Sequence, residues 1–134
     1  MYLVYLLLCL TDGRTYVGAT SNLAKRLKQH NDGKGAEATK NGAGSWICLV
    51  SVEEFASWAG AVQFENALHR PWILGLTAYG CTTSAATHTL ANRLICIKRM
   101  VQLFGKQDNL QVRHAEPVVC DILEQFFFDV ICIE

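Results

Sequence analysis

The apolar residues at the start of the chain predict a β-hairpin. Residues 1–10 are almost wholly apolar, which is typical of a strand buried on both faces. Asp12-Gly13 then favours a tight turn, and Thr15-Tyr16-Val17 supplies the β-branched and aromatic residues of a returning strand. The apolar run is too short for a membrane-spanning helix, which needs about 20 residues, and it lacks the basic start of a signal peptide. We therefore expect a soluble, intracellular protein with no membrane contact.

Three later segments have the spacing of amphipathic helices. The first covers residues 23–30 and ends at Asn31-Asp32-Gly33. The second covers residues 58–69 and is followed by a proline. The third spans about 86–104, with Gly105 placed to act as its C-cap. Its apolar residues recur at spacings of four and three: Leu90, Leu94, Ile97, Val101 and Phe104.

The segments between and after these helices predict strands and loops. Residues 46–52 are mostly apolar and predict a third strand. Residues 33–45 and 72–86 lack apolar periodicity and predict loops. The end of the chain predicts three short elements: a strand at 110–113, a helix at about 118–125, and a very apolar segment at 126–133.

These elements predict an α/β fold with a small antiparallel sheet of three strands flanked by helices. The third helix would belong to a helical C-terminal extension. We place the boundary near residue 72, with a core over 1–72 and an extension over 73–134 that packs on it. The length of 134 residues is that of one ordinary domain, which can bury a core without a disulfide or a metal.

Composition excludes several classes of protein. Hydrophobic residues make up 51% of the chain and charged residues 18%, which excludes a disordered tail or a charged coiled coil. Lys and Arg number 12 and Asp and Glu number 12, so nucleic acid would have to bind a local basic patch. No two of the 6 cysteines lie within four positions, which excludes a zinc knuckle. Four lie in apolar runs and are predicted to be reduced core residues: Cys9, Cys48, Cys96 and Cys132.

Five polar residues are spaced so that the predicted elements could bring them together. Tyr5 and Tyr16 can meet on one face of the hairpin. Arg26 and His30 lie one turn apart on the first helix, and Glu65 lies in the middle of the second. Taken singly, each is an ordinary surface or strand residue. Together they form a candidate catalytic set.

These five positions and their neighbours resemble the GIY-YIG nuclease family. Tyr5 matches the first motif tyrosine, and Tyr16-Val17-Gly18 matches the second motif. Arg26 and His30 match the helix signature of the family. Residues 63–71 resemble the metal-binding helix of its eukaryotic branched-DNA endonuclease subgroup, and residues 33–36 resemble small single-domain bacterial members. Leu3 departs from the motif, which has Gly there, and no cysteine spacing could build the zinc-binding module of the eukaryotic subgroup.

The resemblance implies a nuclease fold over about residues 2–72 and a metal-dependent mechanism. Glu65 would hold one Mg²⁺ or Mn²⁺ ion, and Arg26 would neutralise charge on the phosphate. One tyrosine, with His30 nearby, would accept a proton from the attacking water. The sequence does not decide which tyrosine this is. We favour Tyr16, with Tyr5 orienting the water.

Two segments could supply the basic surface that DNA requires. Gly18 would allow close approach of a phosphate or of the helix. The first basic segment covers residues 25–40, and from it we select Lys25 and Lys34 as substrate-binding residues. The second covers 93–113 and includes Arg93, Lys98, Arg99, Lys106 and Arg113, from which we select Lys98 and Arg99. The alternative is that this second segment is an ordinary solvated helix face.

The end of the chain differs in charge from both basic segments. From Ala115 onward there are acidic residues and no Lys or Arg, so this end would repel a phosphate backbone. Its apolar residues fit a protein partner or a second copy of the chain.

The sequence predicts an endonuclease that cuts branched or flapped DNA in recombination or repair. Two alternatives stay open at this point. One is a small nuclease that acts on less defined DNA. The other is a catalytically inactive module that binds nucleic acid or serves as a scaffold.

Overall fold

A computed structural model of the chain describes residues 1–70, 90–108 and 110–114. Their helices and strands follow in the chain order β1 (Tyr2–Cys9), β2 (Thr15–Thr20), α1 (Leu23–Asn31), α2 (Glu37–Lys40), β3 (Trp46–Phe55), α3 (Trp58–His69), α4 (Leu90–Asp108) and β4 (Gln111–His114). None of these helices is long and apolar enough to cross a membrane. The predicted loop at 72–86, the predicted helix at 118–125 and the apolar end all lie outside the described residues.

The sheet is antiparallel and contains four strands, in the order β2-β1-β3-β4. The prediction of three strands was wrong, because the short segment after α4 pairs with the outer edge of β3, as in Val52 opposite Val112. This pairing joins residues that are far apart in sequence, and β3 continues to Phe55, beyond the predicted end at Val52. The α/β fold with an antiparallel sheet and flanking helices is confirmed.

Strand β1 is buried on both faces, as its apolar sequence predicts. Val4 and Leu6 point to the face that α3 and α4 cover, whereas Leu3, Tyr5 and Leu7 point to the face that α1 covers. Each of the five is at most 3% exposed. Tyr5, the first residue of the predicted catalytic set, therefore lies on a strand that is buried on both faces.

Interactions between residues close in sequence explain the turn between β1 and β2 and the starts of α1 and α3. Gly13 adopts a φ of +76°, which glycine permits, and Cys9 and Arg14 close the hairpin loop with a backbone hydrogen bond of 2.9 Å. The side chains of Asn22 and Ser57 cap α1 and α3 by accepting backbone N–H groups. The predicted loop at 33–45 contains the one-turn helix α2, which is too short to show apolar periodicity.

Helix α4 packs against the same core as the sheet. Leu94, Ile97 and Met100 are buried with Val4 and Leu6. The helix continues through Gly105 to Asp108, so the predicted C-cap at Gly105 was wrong. Glycine inside a helix costs only about 1 kcal/mol, and burial of two or three large apolar side chains exceeds that cost.

Two of the cysteines predicted to lie in the core do so. Cys9 and Cys96 are buried thiols, and Cys48 is a half-buried thiol. Burial raises the pKa of the Cys48 thiol to about 11, which keeps it protonated and unreactive at neutral pH. The other three cysteines, Cys81, Cys120 and Cys132, lie outside the described residues.

Candidate active site

Tyr5 and Tyr16 lie side by side on the face of the sheet that α1 covers. Tyr16 is opposite Leu7, one diagonal step from Tyr5, and the two ring centroids are 6.3 Å apart. Tyr5 is 1% exposed, whereas Tyr16 is half-buried and reaches solvent. The two phenols therefore meet as the hairpin predicted, but in different environments.

Gly18 makes this arrangement possible. It is the cross-strand partner of Tyr5, and a Cβ atom added at Gly18 would collide with the Tyr5 hydroxyl and ring. The missing side chain of Gly18 leaves room for Tyr5. Its close approach to a phosphate or to the following helix stays a prediction.

His30, at the end of α1, holds the Tyr5 hydroxyl. Its ring is fully buried, with Nε2 2.9 Å from the Tyr5 oxygen and Nδ1 2.7 Å from Oγ1 of Thr39. The Thr39 hydroxyl donates its one proton to the carbonyl oxygen of Ala36, at 2.9 Å. It must therefore accept from His30 Nδ1–H, which leaves Nε2 as a lone pair that accepts the Tyr5 proton. The network assigns the tautomer of His30 and fixes Tyr5 as a hydrogen-bond donor.

The pKa values of Tyr5 and His30 agree with a hydrogen bond in which Tyr5 is the donor. Burial raises the pKa of Tyr5 to about 12, against the opposing effect of Arg26. Burial, and then the positive charge of Arg26, lower the pKa of His30 to about 4. Both side chains are therefore neutral at pH 7, and Tyr5 keeps its proton.

Arg26 supplies a positive charge to the two tyrosines. It is half-buried on α1, one turn before His30. Its interactions with the hydroxyls of Tyr5 and Tyr16 raise its pKa, so the guanidinium is charged at any working pH. Nη1 also donates to Oε1 of Gln29 at 3.1 Å, which limits how the side chain can move.

Glu65 approaches the same site from α3. Its side chain is 22% exposed, and desolvation raises its pKa. Its negative charge contributes to the raised pKa of Tyr5, so the carboxylate faces the tyrosine cluster. Nε2 of His69 lies 3.9 Å from Oε1 of Glu65. The structure thus brings together all five residues of the predicted catalytic set.

Residues 1–71 match the family model of the GIY-YIG catalytic domain, and they make up more than half of the 134 residues. The chain belongs to the GIY-YIG family. The matched residues include β1 to β3, α1 to α3 and the whole of the cluster described above. Helix α4 and strand β4 lie beyond the match.

Two groups of curated relatives share the GIY-YIG domain. The human structure-specific endonuclease subunit SLX1 is 44% identical over 73 residues, which cover 51% of this chain and 26% of the human protein. The mouse subunit is 41% identical over the same length. A UPF0213 protein of Bacillus licheniformis is 58% identical over 61 residues, 46% of this chain and 60% of the bacterial protein. The chain therefore spans about a quarter of the length of the mammalian relatives.

The predicted DNA-binding residues lie in two places. Lys25 and Lys34 are exposed near α1, and on α4 Arg99 is exposed and Lys98 is half-buried. Arg93 was wrongly included in the second basic segment, because its side chain is 3% exposed and cannot reach a phosphate. Arg113 is exposed, but its Nε lies 2.6 Å from Oε2 of the buried Glu53, so its charge is compensated. The second basic surface is smaller than the sequence indicated.

Thr39 is the site residue that the sequence did not indicate. It lies in α2, within the segment predicted to be a loop, and it is fully buried. Its carbonyl oxygen accepts from Trp46 Nε1 at 2.9 Å, which fixes the turn of helix against β3. A Cβ atom at Gly35 would collide with the His30 ring, so this loop is fitted closely to the imidazole. Thr39 is identified as a site residue only by its contact with His30 in the structure.

Replacing Thr39 with valine should reverse the hydrogen bond between Tyr5 and His30. Valine keeps the shape but leaves Nδ1–H of His30 buried without an acceptor, which costs about 1–3 kcal/mol. The imidazole then gains by moving its proton to Nε2. ¹⁵N NMR of the ring nitrogens should show the Nδ1–H tautomer in the wild type and in Thr39→Ser, and the Nε2–H tautomer in Thr39→Val. An unchanged tautomer in the valine variant would refute the network.

The buried His30 should make folding stability depend on pH between about 4 and 6.5. Its pKa is about 4 in the folded chain and about 6.5 when unfolded, so only the unfolded state binds the proton in this window. The free energy of unfolding should therefore fall as pH falls, by up to about 1.4 kcal/mol per pH unit. Urea unfolding at several pH values measures this dependence. The free energy of unfolding should change less with pH in His30→Gln than in the wild type, because the carboxylates titrate alike in both proteins. Equal slopes would contradict the burial of a neutral His30.

Proposed function

We propose that this chain is a metal-dependent endonuclease that hydrolyses phosphodiester bonds in branched DNA. The observation that supports this most is the convergence of two tyrosines, an arginine, a histidine and a glutamate around the Tyr5 hydroxyl in a GIY-YIG domain. The printed name of the human and mouse relatives, structure-specific endonuclease subunit, favours branched substrates. A role in recombination or repair follows from such a substrate.

The surroundings of Glu65 fit a single hard divalent cation. The carboxylate is mostly buried and its raised pKa reflects desolvation, a cost that a bound cation would offset. In the described residues, no three His, Cys, Asp or Glu side chains are grouped as a metal site. One carboxylate with waters suits Mg²⁺ or Mn²⁺, which keep much of their hydration shell. Such an ion would stabilise negative charge on the leaving oxygen.

The other four residues take roles that their environments favour. Arg26, held beside the hydroxyls of both tyrosines, would neutralise the charge that builds on the phosphate oxygens. Tyr16 reaches solvent beside Arg26, and in our proposal its phenolate form accepts the proton of the attacking water and becomes the neutral phenol. Tyr5 donates its own proton to His30 and offers its oxygen lone pairs to the water, which orients it. His30 holds Tyr5 in that state.

A second candidate is a small nuclease with less defined DNA substrates. The identity to the Bacillus licheniformis protein is 58% over 61 residues, against 44% over 73 residues for the human subunit, and the printed name of the bacterial protein specifies no branched substrate. The catalytic chemistry would be the same in both cases. The candidates differ only in the shape of the DNA that is bound.

Cleavage of matched DNA substrates tests the proposal. A four-way junction and a linear duplex of the same sequence are incubated with the protein, with and without Mg²⁺. We expect Mg²⁺-dependent nicking of the junction and much slower cutting of the duplex. Equal cutting of both would favour the second candidate. DNA binding without any cutting, in Mg²⁺ or Mn²⁺, would show a catalytically inactive module and overturn the proposal.

Lys98 and Arg99 should contribute to DNA affinity if α4 borders the DNA path. Each lost phosphate contact lowers the slope of log K against log salt by about 0.9 for duplex DNA, so Lys98→Ala/Arg99→Ala should lower it by about 1.8. Affinity for branched and linear DNA should fall alike, because both present the same phosphate backbone. Fluorescence anisotropy across a salt series measures this, with the exposed Gln111→Ala on β4 as a neutral control. An unchanged slope would mean that this face of α4 does not meet DNA.

A further inference from the structure

Arg93 is a buried arginine in a helix beyond the match to the catalytic domain. It lies on α4, is 3% exposed, and neighbours the core residue Leu94. Its Nη1 donates to Oγ1 of Thr15 at 3.0 Å, across 78 positions of sequence. Thr15 is the first residue of β2 and directly precedes Tyr16. A side chain from the C-terminal extension therefore holds the strand that carries the second tyrosine.

Burial of the charged Arg93 guanidinium costs free energy of folding. Desolvation lowers the pKa of Arg93 to about 10, so Arg93 is still protonated at pH 7. Burial of a charged group costs several kcal/mol unless geometry and hydrogen bonds compensate. An apolar residue would fill the same place in the core without that cost. The hydrogen bond to Thr15 is a contact that such an apolar residue could not make.

Strand β2 also needs support from outside the sheet. It is an edge strand, with β1 as its neighbour in the described sheet. Tyr16 near its start must keep its hydroxyl within reach of Arg26 and at 5.0 Å, ring to ring, from His30. A small shift of an edge strand would move the phenol, and a misplacement of about 1 Å can cost roughly 100-fold in rate.

We propose that Arg93 is a positioning residue for the nuclease reaction: by holding Thr15, it fixes the start of β2 and so the placement of Tyr16. The proposal rests on the nuclease function proposed above. Because Arg93 is buried, it acts on the rate of the chemical step and not on DNA binding. The C-terminal helix thereby becomes part of what makes the active site competent.

Single-turnover cleavage of the four-way junction in Mg²⁺, with the full-length chain, separates these effects. Arg93→Met should lower the rate at saturating protein roughly 10- to 100-fold while the Kd for the junction stays within about twofold. Arg93→Lys, which keeps a donor and a charge, should recover part of the rate. Thr15→Val should lower the cleavage rate as much as Arg93→Met does. The double variant Arg93→Met/Thr15→Val should be no slower than either single variant. Thr15→Ser, which keeps the hydroxyl, should cut at the wild-type rate.

The outcomes distinguish this inference from the proposed function. A wild-type protein that never cuts DNA would overturn the proposed function and the inference with it. A wild type that cuts, with Thr15→Val at the wild-type rate, would overturn the inference alone. If urea unfolding shows that Arg93→Met does not fold, the folded Thr15→Val and Thr15→Ser pair decides the question, since both retain Arg93. An equal loss of rate and of DNA affinity would also contradict a positioning role.

Discussion

Replacing Glu65 with glutamine should abolish Mg²⁺-dependent cleavage and leave folding and DNA binding intact. Glutamine has nearly the same shape, and the Glu65 side chain is only 22% exposed, so packing should change little. Loss of the carboxylate proposed to hold the ion should cost several kcal/mol in the transition state, about a thousandfold or more in rate. Single-turnover cleavage of a four-way junction measures the loss, and a salt series of binding curves measures the affinity.

Glu37→Gln is the matched control for Glu65→Gln. Glu37 lies on α2, is exposed and pairs with Lys40 at the surface, so its replacement should leave the rate unchanged. A titration with Mn²⁺, followed by its paramagnetic effect on solvent water, should show one ion bound by the control and none by Glu65→Gln. Near wild-type nicking by Glu65→Gln would remove Glu65 from the mechanism.

Replacing Tyr16 with phenylalanine should be more damaging than the same change at Tyr5. Each change removes one hydroxyl and keeps the ring, so the packing of β1 and β2 is preserved. Loss of a general base costs roughly 10²–10⁴-fold in rate. Loss of an orienting hydroxyl costs less, because a hydrogen bond to a charged group contributes about 1.5–3 kcal/mol. The buried Tyr5, with its pKa raised to about 12 and its hydroxyl donating a hydrogen bond to His30, fits the orienting role.

Single-turnover rates of both variants across pH 6–10 distinguish the two roles. Tyr2→Phe is the control, since Tyr2 stacks on Trp58, with centroids 5.8 Å apart, away from the cluster. The rise of the rate with increasing pH, which reports deprotonation of the general base, should vanish in Tyr16→Phe and persist in Tyr5→Phe. If Tyr16→Phe instead keeps most of its activity and this rise, then Tyr5 or His30 is the base.

Local sequence patterns were sufficient to predict the parts of the fold that depend on neighbouring residues. The apolar run of β1, the Asp12-Gly13 turn and the periodicity of α1 and α3 each reflect interactions within a few positions, and the structure confirms them. The same patterns placed Tyr5, Tyr16 and Arg26 on elements that do converge. Their chemical roles stay proposals, because roles depend on charge and burial.

Contacts between distant segments decided the features that the sequence did not predict. The sequence predicted the short strand at 110–113 but not its pairing with β3, and α4 passes Gly105 because its other residues are packed. Arg93 is indistinguishable in sequence from a surface arginine, and only the core around α4 buries it. Thr39 lies in a segment without periodicity, where a single side-chain contact gives it importance.

The core shared by the two halves of the chain sets the smallest segment that could carry the proposed nuclease site on its own. Leu94, Ile97, Met100 and Leu110 cover the same sheet face as Val4 and Leu6. A chain cut after residue 71, where the family match ends, would leave that apolar face to water and invite self-association. A fusion protein that borrows this catalytic unit should therefore carry it at least as far as His114. The fusion joint then falls after β4, so the transferred segment contains the edge strand β4 and Arg93 as well as the two tyrosines.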